Sequence, residues 1–270
     1  MGLSLSEFVI TEAGFGADLG AEKFMNIKCR AAGLSPKAVV LVATIRALKY
    51  HGGKPLSELT DEDVDALQRG FANLDRHITS LKSFGIPVVV SINSFSSDTE
   101  AENQALLDHC KSLHVPAALS EGWAKGGQGC LDLADLVVQA AAECQRSFTP
   151  TYALDDPIRL KMEKVCQTIY GAENVILTNK AKRQLARFEA RGYDQLPICM
   201  AKTQKSLSDD EKQLGRPEHF DIHIREFEIA TGAGFVIPIA GNILRMPGLP
   251  GTPAAERIEI LEDGQISGLF

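Results

Sequence analysis

Along the first half of the chain, short unbroken apolar runs alternate with longer stretches whose apolar positions recur every three or four residues. Residues 8–11 are the first such run and predict a short buried strand, followed by a glycine-rich turn and a helical stretch to about Arg30. Val39, Val40, Leu41, Val42 and Ala43 form a second run, of the kind buried on both faces of a parallel sheet. The strongest helical pattern comes next. Val64, Leu67, Phe71, Leu74, Ile78 and Leu81 share one face, with Thr60 as the expected cap, Asp61, Glu62 and Asp63 in the positive first turn and Gly85 at the end. Residues 86–92 predict a third strand. Thr99 opens a helix with Leu106, Leu107, Cys110 and Leu113 on its apolar side, residues 117–119 a fourth strand, and residues 131–145 a further helix. Strands alternating with helices of these lengths imply a parallel sheet wrapped by helices.

The pattern changes near residue 148, where a domain boundary is expected, giving residues 1–147 as an α/β domain and 148–270 as a smaller α+β domain. Asp156-Pro157 starts a helix that stops at Gly171, and Thr178 starts one that stops at Gly192. Beyond Pro197 strands dominate: Phe220, Ile222 and Ile224 alternate with Asp221, His223 and Arg225, and residues 257–261 face Gln265-Ile266 across the hairpin signal Asp263-Gly264. Residues 246–251 read as a rigid Pro/Gly loop, and no internal repeat is visible.

Composition narrows the classes. With 270 residues, 44% hydrophobic, 23% charged, a mean hydropathy of -0.04 and a net charge of -7, the chain reads as globular, with neither a membrane span nor the basic field that nucleic-acid binding needs. Its six scattered cysteines, without a Cys-x-x-Cys, predict reduced thiols and a cytoplasmic protein. The start Met1-Gly2 to Ser6 formally matches a myristoylation pattern too short to weigh against the strand expected behind it. His219 and His223 lie on an alternating pattern without a third ligand, so no metal site is expected.

In open α/β sheets ligands bind beyond the carboxyl ends of the strands, and four segments fall there. Gly14-Phe15-Gly16 to Gly20 is a glycine turn entering a helix, suited to an anion at the helix start or to close strand–helix packing; its spacing misses the dinucleotide fingerprint by one residue. Thr44, Arg46, Lys49 and His51 offer cations for a phosphate or carboxylate, or a solvated helix start. Phe95 stands among Asn93, Ser94, Ser96, Ser97 and Asp98, an apolar surface rimmed by polar groups that suits a planar heterocycle, in a turn that also caps the next helix. Trp123, the single tryptophan, sits in a loop with Gly122, Gly126, Gly127 and Gly129 beside Lys125, which points to ring stacking plus an anion contact, or to a core anchor.

Taken in order, these stretches resemble formate–tetrahydrofolate ligase (10-formyltetrahydrofolate synthetase). The resemblance rests on residues 11–24, on 39–49 with His51-Gly52-Gly53, on Val89 to Asn93 with Phe95 and Asp98-Thr99, on Trp123 to Gly127, on 196–204, on 246–250 and on the end 267–270. It covers nearly the whole chain from about Glu7, but only the C-terminal half of the family's chain. The family's P-loop lies upstream, and no Gly-x-x-x-x-Gly-Lys-Ser/Thr occurs here; Gly52-Gly53-Lys54-Pro55 lacks the upstream glycine and the hydroxyl. The resemblance implies a P-loop NTPase-like α/β fold without its P-loop strands. It also implies a reaction in which ATP phosphorylates formate and N10 of tetrahydrofolate attacks the formyl phosphate. Phe95 and Trp123 would then sandwich the pterin over Leu119, while Phe15 and Gly20 shape the nucleotide cleft; Ser96 stands where the family often has proline. ATP and Mg, with a monovalent cation as a further candidate, would serve the complete enzyme, and a separate P-loop-containing N-terminal subunit would be the partner. A standalone folate- or pterin-binding protein is the alternative. An NADP-dependent oxidoreductase, using Gly14, Gly16 and Gly20 for a pyrophosphate and Arg46 for a 2′-phosphate, leaves Phe95 and Trp123 unexplained. A sheet that begins partway through its fold predicts exposed apolar faces and a homo-oligomer.

Overall fold

The computed structural model describes residues 1–145, 148–241, 243 and 252–268. Three strands form a parallel sheet in the order β1 (Val39–Ala43), β2 (Val88–Asn93), β3 (Ala117–Ser120). Their registers, Ala43 with Ile92 and Asn93 with Ser120, bring all three carboxyl ends to one edge. The connections are helices. α1 (Ile45–His51) and α2 (Val64–Lys82) join β1 to β2, α3 (Glu100–Ser112) joins β2 to β3, and α4 (Leu131–Glu143) returns after β3 to pack on β2 and β3. The three-and-four spacing of α2 does what it predicts. Leu67, Phe71, Leu74, Ile78 and Leu81 are buried against Leu41, Val88, Val90 and Ile92, with Leu106 and Cys110 of α3 closing the cluster. Full burial of such a side chain is worth about 1.5–3 kcal/mol, so this stripe anchors the sheet.

The second half is an α+β unit. α5 (Ile158–Val165) runs on through Cys166–Tyr170 to Gly171, and α6 (Asn179–Glu189) follows β4 (Asn174–Leu177). β4 pairs parallel with β5 (Asp221–Ala230), which pairs antiparallel with β6 (Phe235–Ala240). β7 (Glu259–Ile260) and β8 (Ile266–Ser267) make the expected hairpin, with Gly264 at φ 82°. The core around β5 also takes in Met25, Cys29, Phe84 and Ile86 from the first half of the chain. Among the described residues no helix is long and apolar enough to cross a membrane.

Three expectations need correcting. Residues 8–11 form no strand: they have no regular secondary structure and are exposed, and β1 stands at the edge of its sheet with Val40 and Val42 uncovered. An apolar run becomes a strand only where it pairs with a neighbour, and these residues are not laid against the free edge of β1, which bonds to β2 alone. The cap of α2 is Asp63, not Thr60; the Ala66 amide donates to its carboxylate at 2.8 Å. His219 lies ahead of β5 with a left-handed φ of 54°, so it does not share that strand with His223. Residues 246–251 and the terminal Leu269 and Phe270, which belong to motifs noted above, lie outside the described residues.

Candidate functional site

The shared carboxyl edge of β1, β2 and β3 carries three of the four segments on which the sequence reading placed candidate ligand contacts. Thr44 ends β1 and caps α1, accepting from the Ala47 amide at 3.1 Å. That start directs Arg46 toward the next loop, where its guanidinium lies 4.7 Å from the centroid of the Phe95 ring and donates to Ser97 Oγ at 2.9 Å. Asp98 folds the same loop back on itself: its Oδ2 accepts from the Phe95 amide at 2.8 Å, and its own amide donates to the Phe95 carbonyl at 3.0 Å. Thr99 then starts α3 in a full capping box with Glu102. Phe95 keeps 41% of its surface exposed.

The β3 loop is tied to this one through the backbone, the Ser94 amide donating to the Ser120 carbonyl at 3.1 Å. It closes on itself where the Glu121 amide donates to the Gly129 carbonyl at 2.9 Å. A Cβ at Gly129 would sit 2.6 Å from the Glu121 carbonyl oxygen, so the loop needs glycine there. Trp123 rides on the one-turn helix Gly122–Lys125 and is 94% exposed. Lys125 pairs with Glu121 at 2.6 Å, an exposed i,i+4 pair rather than a free cation. Leu119 is half-buried in β3, packs against the sheet core and lines a shallow cavity of about 440 Å³ with Leu107, Asp132 and Leu136.

The glycine run folds differently from a phosphate cradle. A Cβ at Gly20 would fall 1.6 Å from the Gly14 carbonyl oxygen, so this glycine accommodates the chain's own backbone. Gly16 takes a left-handed φ of 76°, and Phe15 beside it is 98% exposed. Asp18 turns inward to a buried ion pair with Lys202 at 2.7 Å. The expected cation cluster after β1 also divides. Lys49 is fully buried, 2.7 Å from Glu102 Oε1 and 2.9 Å from the Asp61 carbonyl. His51 accepts the Gly215 amide on Nδ1 at 3.0 Å; burial, and after it the neighbouring His77, hold its pKa below the ordinary value against an opposite pull from Asp18. Only Arg46 of that group reaches the edge.

The structure therefore unites Arg46 with Phe95 and places the Trp123 loop beside them, while Lys49 and His51 serve the fold. Ser97 and Asp98 were read only as rim and cap, not as the groups that hold Arg46 and the Phe95 backbone, and Asn103, whose amide reaches Ser94 Oγ at 3.5 Å, was missed. The signal for Asp98 was its place three residues after Phe95, the offset at which a carboxylate returns to a backbone amide. Among the described residues no group of three His, Cys, Asp or Glu side chains is placed to hold a metal ion. A family model described as formate–tetrahydrofolate ligase matches residues 1–270.

Proposed function

The chain belongs to the formate–tetrahydrofolate ligase family, and from that premise we propose that the carboxyl edge of its parallel sheet is a tetrahydrofolate site, serving the formation of 10-formyltetrahydrofolate. One observation carries the reading: the Ser94–Ser120 backbone bond sets two exposed aromatic rings, Phe95 and Trp123, on adjoining loops at one sheet edge. A flat heterocycle uses such faces by stacking, and Ser94, Ser97 and Asn93 supply polar contacts at the rim. In the proposed reaction N10 of tetrahydrofolate attacks a formyl phosphate. This chain's share is to hold the pterin, exclude water from it and align its amine.

The family uses ATP and Mg in its complete enzyme. The residues here do not fit a nucleotide cradle, because no P-loop pattern occurs in the 270 residues and Gly14 and Gly20 are spent on each other. No phosphoryl-transfer step is derived from this chain. The reading instead takes the ATP chemistry to a separate P-loop-containing part, with this chain working in a cytoplasmic oligomer or complex. A second reading, a standalone folate- or pterin-binding protein, draws on the same lack of a P-loop pattern. The oxidoreductase reading loses its support, since Gly20 packs on Gly14 and Arg46 is engaged by Phe95 and Ser97.

Calorimetric titration with tetrahydrofolate tests the site. Trp123→Ala and Phe95→Ala are each expected to lose about 1–3 kcal/mol of binding, the range for stacking a base-like ring on an aromatic. Unchanged affinity in both removes the assignment. The 270 residues by themselves are expected to yield no 10-formyltetrahydrofolate from formate, ATP and tetrahydrofolate, and product above a protein-free control would refute the division of labour.

A further inference from the structure

Arg46 has a role that its first reading as an anion contact does not cover. Its guanidinium lies over the Phe95 ring, 4.7 Å from the centroid, and donates to Ser97 Oγ at 2.9 Å. Both partners belong to the same five-residue loop, so the arginine, which comes from the start of α1, clamps that loop at two points. The Phe95 backbone is fixed separately by Asp98, at 2.8 Å and 3.0 Å. Backbone anchors alone leave the ring free to turn about its side-chain torsions. The guanidinium over the ring restrains that freedom, and 41% of Phe95 stays exposed. Arg46 Nε and Asp98 Oδ1 are buried without a hydrogen-bond partner.

We propose that Arg46 is a positioning residue for the pterin: it acts through Phe95, holding the ring in the plane that the heterocycle stacks on. The inference rests on the tetrahydrofolate reading of this edge. Two features single out arginine for the task. Its planar group stacks on aromatic faces, and its fork leaves an N–H to reach Ser97 at the same time; lysine can supply a charge over the ring but not both contacts.

The test is a double-mutant cycle read by calorimetric binding of tetrahydrofolate to this chain. A cation–ring contact of this kind predicts that Arg46→Ala weakens binding roughly 2- to 5-fold. Arg46→Lys, which keeps a charge over the ring but not both contacts, and Ser97→Ala, which removes the hydroxyl contact alone, should each fall between the parent and Arg46→Ala. In a Phe95→Ala background Arg46→Ala should have no further effect. Equal losses with and without the Phe95 ring would mean that Arg46 touches the ligand itself or supports the fold, and would overturn the proposal. So would parent-like affinity in Arg46→Ala. Melting curves on each variant separate a misfolded protein from a mispositioned ring, and Ser97→Ala keeps the question open to refutation if Arg46→Ala fails to fold. A parent chain that binds no tetrahydrofolate would bring down the site assignment and this inference with it, an outcome distinct from a parent that binds and variants that bind equally well.

Discussion

Gly20 shows why a glycine motif is ambiguous before the fold is known. A turn that must admit a phosphate and a turn that must admit its own backbone both demand a missing Cβ, and the letters are the same. Here a Cβ at Gly20 would lie 1.6 Å from the Gly14 carbonyl oxygen and 2.2 Å from its carbon. Gly20→Ala is therefore expected to cost about 1–3 kcal/mol or more, read as a lowered melting temperature. Gly53→Ala is the informative contrast, because nothing lies within 4 Å of its Cβ position and only its φ of 92° resists the change. Equal melting of the parent and Gly20→Ala would show that the turn is looser than drawn. Lys49 repeats the lesson for charge. Beyond a strand end it reads as an anion contact, but it is fully buried on Glu102, 53 residues further along the chain. Phe95 and Trp123, read as lying outside core segments, do lie exposed after β2 and β3.

The Lys49–Glu102 pair joins α1 to the start of α3 and so holds two of the three loops in place. Burial alone would raise the Glu102 pKa. The bonds from Lys49 and from the amides of Asp63 and Thr99 outweigh it and bring the net value below 4.5. The unfolded chain thus binds more protons in that window, so the stabilisation is complete above about pH 4.5 and is lost as pH falls through the lower folded value. His51 works in the same direction at higher pH, its contribution complete above 6.5 and lost below as its depressed folded value is passed. Glu102→Gln leaves the Lys49 ammonium buried without its counter-charge and is expected to cost about 3–5 kcal/mol at pH 7, with a shallower acid limb in melting curves from pH 7 to 3. A variant melting with the parent at pH 7 would contradict this account of the helix junction. The elements themselves were readable where a period was long or an opening residue distinctive, as in α2 and the helix that Thr99 opens. Residues 8–11 were misread because periodicity reports that a run is apolar, not that the chain lays it against the open edge of β1.

Surface left apolar by this fold bears on assembly. Val40 and Val42 of the edge strand, together with Phe8, Val9, Ile10 and Phe15 of the N-terminal stretch, are exposed. An open strand edge and large apolar side chains in water favour association. We expect the chain to self-associate or to bind a partner there, burying on the order of 1,000 Å² or more. Light scattering over a dilution series checks this; a compact monomer at micromolar concentration that binds no hydrophobic dye would show the surface to be tolerated and would favour the self-sufficient binding protein.

The site itself is open to one direct measurement, because the chain contains a single tryptophan and it stands on the proposed ligand loop. Tetrahydrofolate added to the chain should change the emission of Trp123 saturably, and Phe95→Ala should shift that titration to higher concentration by roughly 5- to 150-fold, the equivalent of about 1–3 kcal/mol. An emission that saturates at the same concentration in both proteins would contradict the pairing of Phe95 with Trp123 around one pterin.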